Sequence, residues 1–209
     1  MILPDWHIAM SLSMGEIVID PIDVDPLEYE SREEDARQMV EDSEFIQPSS
    51  CDIELSNDFI VFDDNVKRTD LQTIDPMKEN DLGKEIIVED TYTLDPGEFV
   101  LGNTKQTIMV PDNLRATVEG RSSWGRLAIT VHVTAGYIDP GYGWESSFGE
   151  GNVTLEISNL NNRPVELIPE SRFCQLEFAE LKEPSHKPYC GKYSGQRGVQ
   201  KSRVHEDFE

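Results

Sequence analysis

Two arginines, two serines and a tryptophan stand within eight residues at Glu119-Gly120-Arg121-Ser122-Ser123-Trp124-Gly125-Arg126. Planar guanidinium forks match phosphate oxygens, and neighbouring hydroxyls can donate short hydrogen bonds. That combination suits a polyphosphate, so a nucleotide is the first ligand to consider. A second block follows at Val131-His132-Val133-Thr134-Ala135-Gly136-Tyr137-Ile138-Asp139-Pro140-Gly141 and carries one carboxylate, Asp139. A third, Thr154-Leu155-Glu156-Ile157, sets a glutamate among apolar neighbours. A carboxylate on such a strand is partly desolvated, which suits a group that must take up and release a proton.

Zinc-assisted deamination of a nucleobase needs a His or Cys followed by a catalytic Glu, with a later pair of cysteines three residues apart. Here His132 is followed by Val133 and Thr134, and Cys51, Cys174 and Cys190 lie far from one another. The sequence excludes that zinc site and names no protein metal ligand, so a protein base must activate water.

These residues need a scaffold, and the pattern around them is one of short strands. Asp52-Ile53-Glu54-Leu55 alternates, Phe59 to Phe62 is a short apolar run, and Ile86 to Val88 leads to Tyr92-Thr93-Leu94 before a Pro96-Gly97 turn. Further strands are expected at Phe99 to Leu101, Gln106 to Val110, Leu114 to Glu119, Ala128 to Val131, Asn152 to Ser158, Val165 to Ile168 and Phe173 to Phe178. Many short runs between Pro, Gly and Asn turns predict a mainly β fold, a sandwich or distorted barrel with few short helices. Asp5 to Met14 reads as a helix capped by Asp5 and stopped by Gly15, with a strand over Glu16 to Ile19. Asp25 to Ser43 is charged and has room for one amphipathic turn, and Trp144 to Gly151 reads as a Gly/Ser-rich loop.

At 209 residues the chain is expected to form a single domain over 1–209, with an acidic insertion at about 22–44 and a flexible, basic tail at about 187–209. Its 41 carboxylates against 18 Lys and Arg give a formal charge of -23. That charge repels nucleic acid and anionic membranes, and it fits a protein adapted to molar salt, where counter-ions screen self-repulsion. An odd number of unpaired cysteines points to a reducing compartment. Without a run of about 18 apolar residues, a cytoplasmic location is expected.

Beyond these readings, the chain resembles the deoxycytidine triphosphate (dCTP) deaminase family of the dUTPase-like fold, with a haloarchaeal flavour. The resemblance rests on Met1-Ile2-Leu3, on Gln47-Pro48-Ser49-Ser50-Cys51-Asp52-Ile53-Glu54-Leu55, and on the Glu119 to Leu127 and His132 to Gly141 blocks. Thr154 to Ile157, Gln175-Leu176, and the tail from Lys192 to Gly198 with Ser202-Arg203 complete it in the family's order.

The resemblance implies Glu156 as catalytic base, with Arg126 and Ser122 beside the attacked carbon. Arg121 and Ser123 then contact phosphates, with Trp124 and Gly125 completing the nucleotide-binding turn. Asp139 lies near the deoxyribose, and Tyr142 either packs on the sugar or serves as a core aromatic. Thr154 and Leu155 present backbone groups to the pyrimidine edge, Gln175 reaches the nucleotide from a neighbouring subunit, and Tyr189, Lys192 and Gln196 close over the triphosphate. It further implies Mg2+ carried with the triphosphate, a homotrimer with sites between subunits, and dTTP as feedback inhibitor. The turn from Gly141 to Asn152 is longer than usual, and Gly136 stands where some members have histidine. Three readings stay open: release of dUTP and ammonia, a bifunctional enzyme or dUTPase releasing dUMP and pyrophosphate, and a silent nucleotide-binding regulator. The absence of a Phe-containing Gly-rich terminal motif disfavours a dUTPase alone.

Overall fold

A computed structural model describes residues 1–22, 33–62, 73–79, 82–144 and 149–208. Parts of the acidic stretch (23–32) and of the 144–151 loop (145–148) lie outside the described residues. The elements run α1 (Asp5–Ser13), β1 (Val18–Asp20), α2 (Glu33–Asp42), β2 (Ile46–Gln47), β3 (Ser50–Glu54), β4 (Asp58–Val61) and β5 (Lys84–Ile87). They continue through β6 (Tyr92–Leu94), β7 (Phe99–Asn103), β8 (Thr107–Met109), β9 (Leu114–Gly120), α3 (Ser122–Gly125), β10 (Ile129–Thr130) and β11 (Tyr137–Ile138). Strands β12 (Thr154–Asn159), β13 (Val165–Leu167) and β14 (Arg172–Glu180) precede a final 3-10 turn at Val204–Phe208.

Two five-stranded sheets, in the orders β10-β12-β7-β4-β5 and β11-β9-β14-β3-β2, carry the architecture, with the small ribbons β1-β8 and β13-β6 beside them. The mainly β expectation therefore holds, but among the described residues the sheets do not close into a barrel. One core joins Ile53, Ala116, Val118, Leu176 and Phe178 of one sheet to Phe59, Val100, Leu155 and Ile157 of the other. Phe59, Phe173 and Phe178 are fully buried; burying a side chain of this size typically stabilises a fold by about 1.5–3 kcal/mol.

Strand alternation decides what faces where. Along β12, Leu155, Ile157 and Asn159 are buried while Thr154, Glu156 and Ser158 are only partly so. The period of two thus puts Glu156 and Thr154 on one face, away from the core. Strand β9 pairs with β14 from Leu114↔Glu180 to Gly120↔Cys174, and this long ladder delivers the chain to α3.

Two local expectations change. Pro4, with φ -75° and ψ 167°, holds the N-cap position of α1. Asp5 is the first helical residue, and its Oδ1 accepts the Trp6 N–H at 2.7 Å; its charge there suits the helix N-terminus. The charged segment before Ser43 forms more than one turn, because Ala36 of α2 is buried with Ala9 and Ile46 in a small second core. Arg37 adds a guanidinium 5.2 Å above the Trp6 ring. Gly15 has φ +70° and stops α1 as expected.

Candidate active site

Glu156 sits on β12 with its carboxylate turned toward the loop after β10. Its Oε2 accepts the backbone N–H groups of Val133 at 2.8 Å and Thr134 at 3.2 Å. Two amides on one oxygen fix the carboxylate's direction, since hydrogen bonds to a charged acceptor are stronger than neutral ones. The loop can reach it because β10 pairs with β12 only at Ile129↔Asn159 and Thr130↔Ser158. Among the described residues no strand lies on that side of Thr154 to Glu156, while β7 pairs with all three on the other. By the alternation of an antiparallel ladder, Thr154 turns its backbone groups to that unpartnered edge with Glu156, whereas Leu155 turns its own toward β7.

Beside this edge is a cavity of about 320 Å³ whose lining includes Glu156, Thr154, Asp139, Tyr142, Tyr189 and Gln196. Five of the residues expected to bind nucleotide thus converge within one chain: Asp139, Thr154, Glu156, Tyr189 and Gln196. Tyr142 is a core aromatic that also forms a wall. It is 7% exposed, and its hydroxyl donates to Asn152 O at 2.6 Å; burial pushes its pKa up. The Tyr189 ring lies 6.1 Å from it, tilted by 30°, and the Tyr189 N–H donates to Pro140 O at 2.8 Å.

The C-terminal segment lies against the body. Gln196 is buried, and its amide donates to Asn152 O at 2.7 Å and Thr154 Oγ1 at 3.1 Å. Gln200, Lys201 and Ser202 complete the wall; nothing singled out Gln200 and Lys201 in the sequence, because a polar run after a glycine reads as solvated chain. Lys192, expected over the triphosphate, does not line this cavity. Its ammonium instead contacts Asp207 at 2.7 Å and Arg203 O at 3.0 Å.

The arginine-serine block stands apart from the Glu156 cavity. Ser122, Ser123, Gly125 and Arg126 are exposed in and just after α3, and Arg126 Nη1 lies 3.5 Å from Ser122 Oγ. Neither Ser122 nor Arg126 lines the Glu156 cavity, so the expected meeting of Arg126 with Glu156 does not occur within one chain. Arg121 anchors the turn: its Nε is 3.1 Å from Oδ1 of Asp52, which is 1% exposed, and its Nη1 donates to Arg172 O at 2.9 Å. The Trp124 indole donates to the same carbonyl at 3.2 Å and packs edge-on against Phe173. Arg172 stands 3.7 Å from the other Asp52 oxygen. Burial raises the Asp52 pKa, and the two arginines oppose that rise. Gln175 belongs to this half, accepting from Ser50 Oγ at 2.8 Å and donating to Gly120 O at 3.3 Å. Ala128, with φ +60°, turns the chain out of α3 toward β10, a conformation that costs a non-glycine residue about 1–2 kcal/mol.

A mainly β fold with a carboxylate held at an open strand edge and a separate arginine-serine turn is the class that these features define. Within it, the chain belongs to the dCTP deaminase-like family, whose model matches residues 2–181. It is 39% identical over 218 residues to a dCTP deaminase of Haloarcula marismortui, covering 100% of this chain and 97% of that one. It is 42% identical over 218 residues to a dUMP-forming dCTP deaminase of Methanosphaera stadtmanae, covering 100% of this chain and 96% of that one. The fold is similar to the crystal structure of 2'-deoxycytidine 5'-triphosphate deaminase from Agrobacterium tumefaciens, with a TM-score of 0.56 and 20% identity. That match covers 85% of this chain and spans 46% of the other.

Proposed function

We propose that this protein hydrolyses the 4-amino group of dCTP, with Glu156 as the base. The carrying observation is the Glu156 carboxylate, aimed by the Val133 and Thr134 amides beside the open edge of β12. Glu156 takes a proton from water, and the hydroxide adds to C4 of the cytosine ring. Glu156 then hands its proton to N4, the C4–N4 bond breaks and ammonia leaves, while the hydroxyl proton at C4 passes to N3 as the C4 carbonyl forms, leaving a uracil ring. Relatives named as dCTP deaminases support the substrate.

Ser122 and Arg126 would act on a Glu156 supplied by another copy, in a homotrimer with sites between subunits. Their exposure, and their absence from the Glu156 cavity of their own chain, support that reading. Arg121 and Ser123 would then meet the phosphates, with Gln175 reaching across from the same half. Mg2+ would enter as part of the substrate, held by phosphate oxygens and water. The nucleotide dTTP shares the sugar and triphosphate and would inhibit by occupying the same cavity.

A second reading, release of dUMP and pyrophosphate, is favoured by Asp139. It lines the same cavity as Glu156, so one cavity offers carboxylates for two hydrolyses. Relatives named as dUMP-forming support it. The test is purified protein with dCTP and Mg2+, following ammonia and pyrophosphate separately. Ammonia alone gives dUTP as product, both together give dUMP, and neither refutes the proposal.

A further inference from the structure

Asn152, two residues before Thr154, uses all four of its polar groups. Its N–H donates to Gln196 O at 2.9 Å, and its carbonyl accepts from Gln196 Nε2 at 2.7 Å and Tyr142 Oη at 2.6 Å. Its side-chain oxygen accepts the Gly198 N–H at 3.0 Å, and its side-chain nitrogen donates to Thr104 O at 2.9 Å. The residue is 8% exposed. Buried polar groups bonded on every side tend to fix one geometry, because breaking any bond strands a desolvated partner. What is fixed here is the junction of three pieces: the loop after β7, the start of β12, and the C-terminal segment. A second anchor lies one residue further along the segment, where the Val199 N–H donates to Asp58 Oδ2 at 2.8 Å. Gly198, the first anchor, has φ +67°, and a Cβ there would lie 3.0 Å from that oxygen. The segment turns sharply at this point and then supplies Gln200, Lys201 and Ser202 to the cavity wall.

We infer that Asn152 is a positioning residue for substrate binding: through Gln196 and Gly198 it docks the C-terminal segment, and so holds that segment's side of the nucleotide cavity closed. The inference rests on the nucleotide reading of the cavity. Asn152 touches no reacting atom; it acts through the segment it holds. If the docked state is the binding-competent one, undocking lowers apparent affinity in proportion to the docked fraction and leaves turnover at saturation unchanged.

The experiment pairs Asn152→Ala with Gly198→Ala, the second altering only the segment itself. Limited trypsin digestion of full-length protein reads docking directly, because Arg197, Lys201 and Arg203 all lie in the segment. Steady-state kinetics with dCTP and Mg2+ read its consequence. Both variants should lose the segment to trypsin about tenfold faster than wild type while the body resists, and saturating dCTP should restore protection. KM should rise about tenfold and kcat stay within about twofold, in line with a roughly tenfold fall in docked fraction. Unchanged cleavage in Gly198→Ala, or a fall in kcat with KM unchanged, overturns the inference. Should the wild-type protein release no ammonia from dCTP, the functional reading fails, while the trypsin comparison still decides whether Asn152 docks the segment.

Discussion

Co-expressing two inactive variants in one cell tests whether the site is shared between copies. One chain carries Glu156→Gln and lacks the base; the other carries Arg126→Ala and lacks the guanidinium. Arg126 is exposed and bonded only to Ser122 among the contacts described, and it does not line its own chain's Glu156 cavity. In the proposed cyclic assembly, a site between neighbours would take the base from one chain and Arg126 from the next. With equal expression and random mixing, half of the base donors retain Glu156 and half of the arginine donors retain Arg126. About one quarter of the sites, 0.5 × 0.5, are then intact in a cyclic oligomer. The assay is ammonia release per milligram from complexes purified through different affinity tags on the two chains, against each variant alone. Purification through both tags removes complexes of a single chain type, and each mixed trimer keeps one intact site of its three, so recovery of about one third of wild-type turnover is expected. Activity no greater than that of the parents, in complexes shown to contain both chains, would refute the shared site.

Two further outcomes follow from the packing. Gly136→Ala puts a Cβ 2.9 Å from Val118 O and 3.0 Å from the His132 ring, so the loop carrying the Val133 and Thr134 amides must shift. It should cost about 1–3 kcal/mol of stability and at least tenfold in kcat, read by thermal melting and ammonia release; unchanged values in both would contradict the role given to that loop. Because burial raises the Asp52 pKa against the pull of Arg121 and Arg172, the native state holds that proton more tightly than the unfolded chain. The group's stabilisation is then complete below about pH 4, the ordinary carboxylate range, and is lost as pH rises through the raised folded value. Denaturant unfolding should show the wild-type advantage over Asp52→Asn shrinking as pH increases from about 4, and a difference flat with pH would refute the assignment.

The strands were legible because alternation survives in runs such as Thr154 to Ser158, where every second side chain is buried. Helix α3 was not, since Ser122–Gly125 spans a single turn and carries no periodic signal. Its shape comes from tertiary contacts: the Arg121 and Trp124 bonds to Arg172 O tie it to β14, far along the chain. The depth of α2 escaped for a similar reason, because its burial rests on one small residue, Ala36, in a charged stretch. At the site, the residue types were readable as chemistry, and Glu156, Asp139 and Gln196, which the resemblance assigns to nucleotide binding, line one cavity. The resemblance implies sites between subunits but sets Ser122 and Arg126 beside Glu156 without saying that, within one chain, they stand outside its cavity. Asn152 escaped as well, since as the first residue of the expected strand Asn152 to Ser158 it carries no sign of a buried network, and its role appears only once the C-terminal segment lies against it.

Replacing Glu156 by Gln keeps the size of the side chain and a carbonyl oxygen for the Val133 and Thr134 amides, and removes only the capacity to accept and return a proton. The most direct measurement is therefore single-turnover ammonia release from dCTP by Glu156→Gln, alongside calorimetric binding of dCTP to the same protein. Binding within a few-fold of wild type, with ammonia release lowered by at least about 10²-fold, is the predicted result. Release of ammonia at a rate near that of wild type would contradict Glu156 as the base.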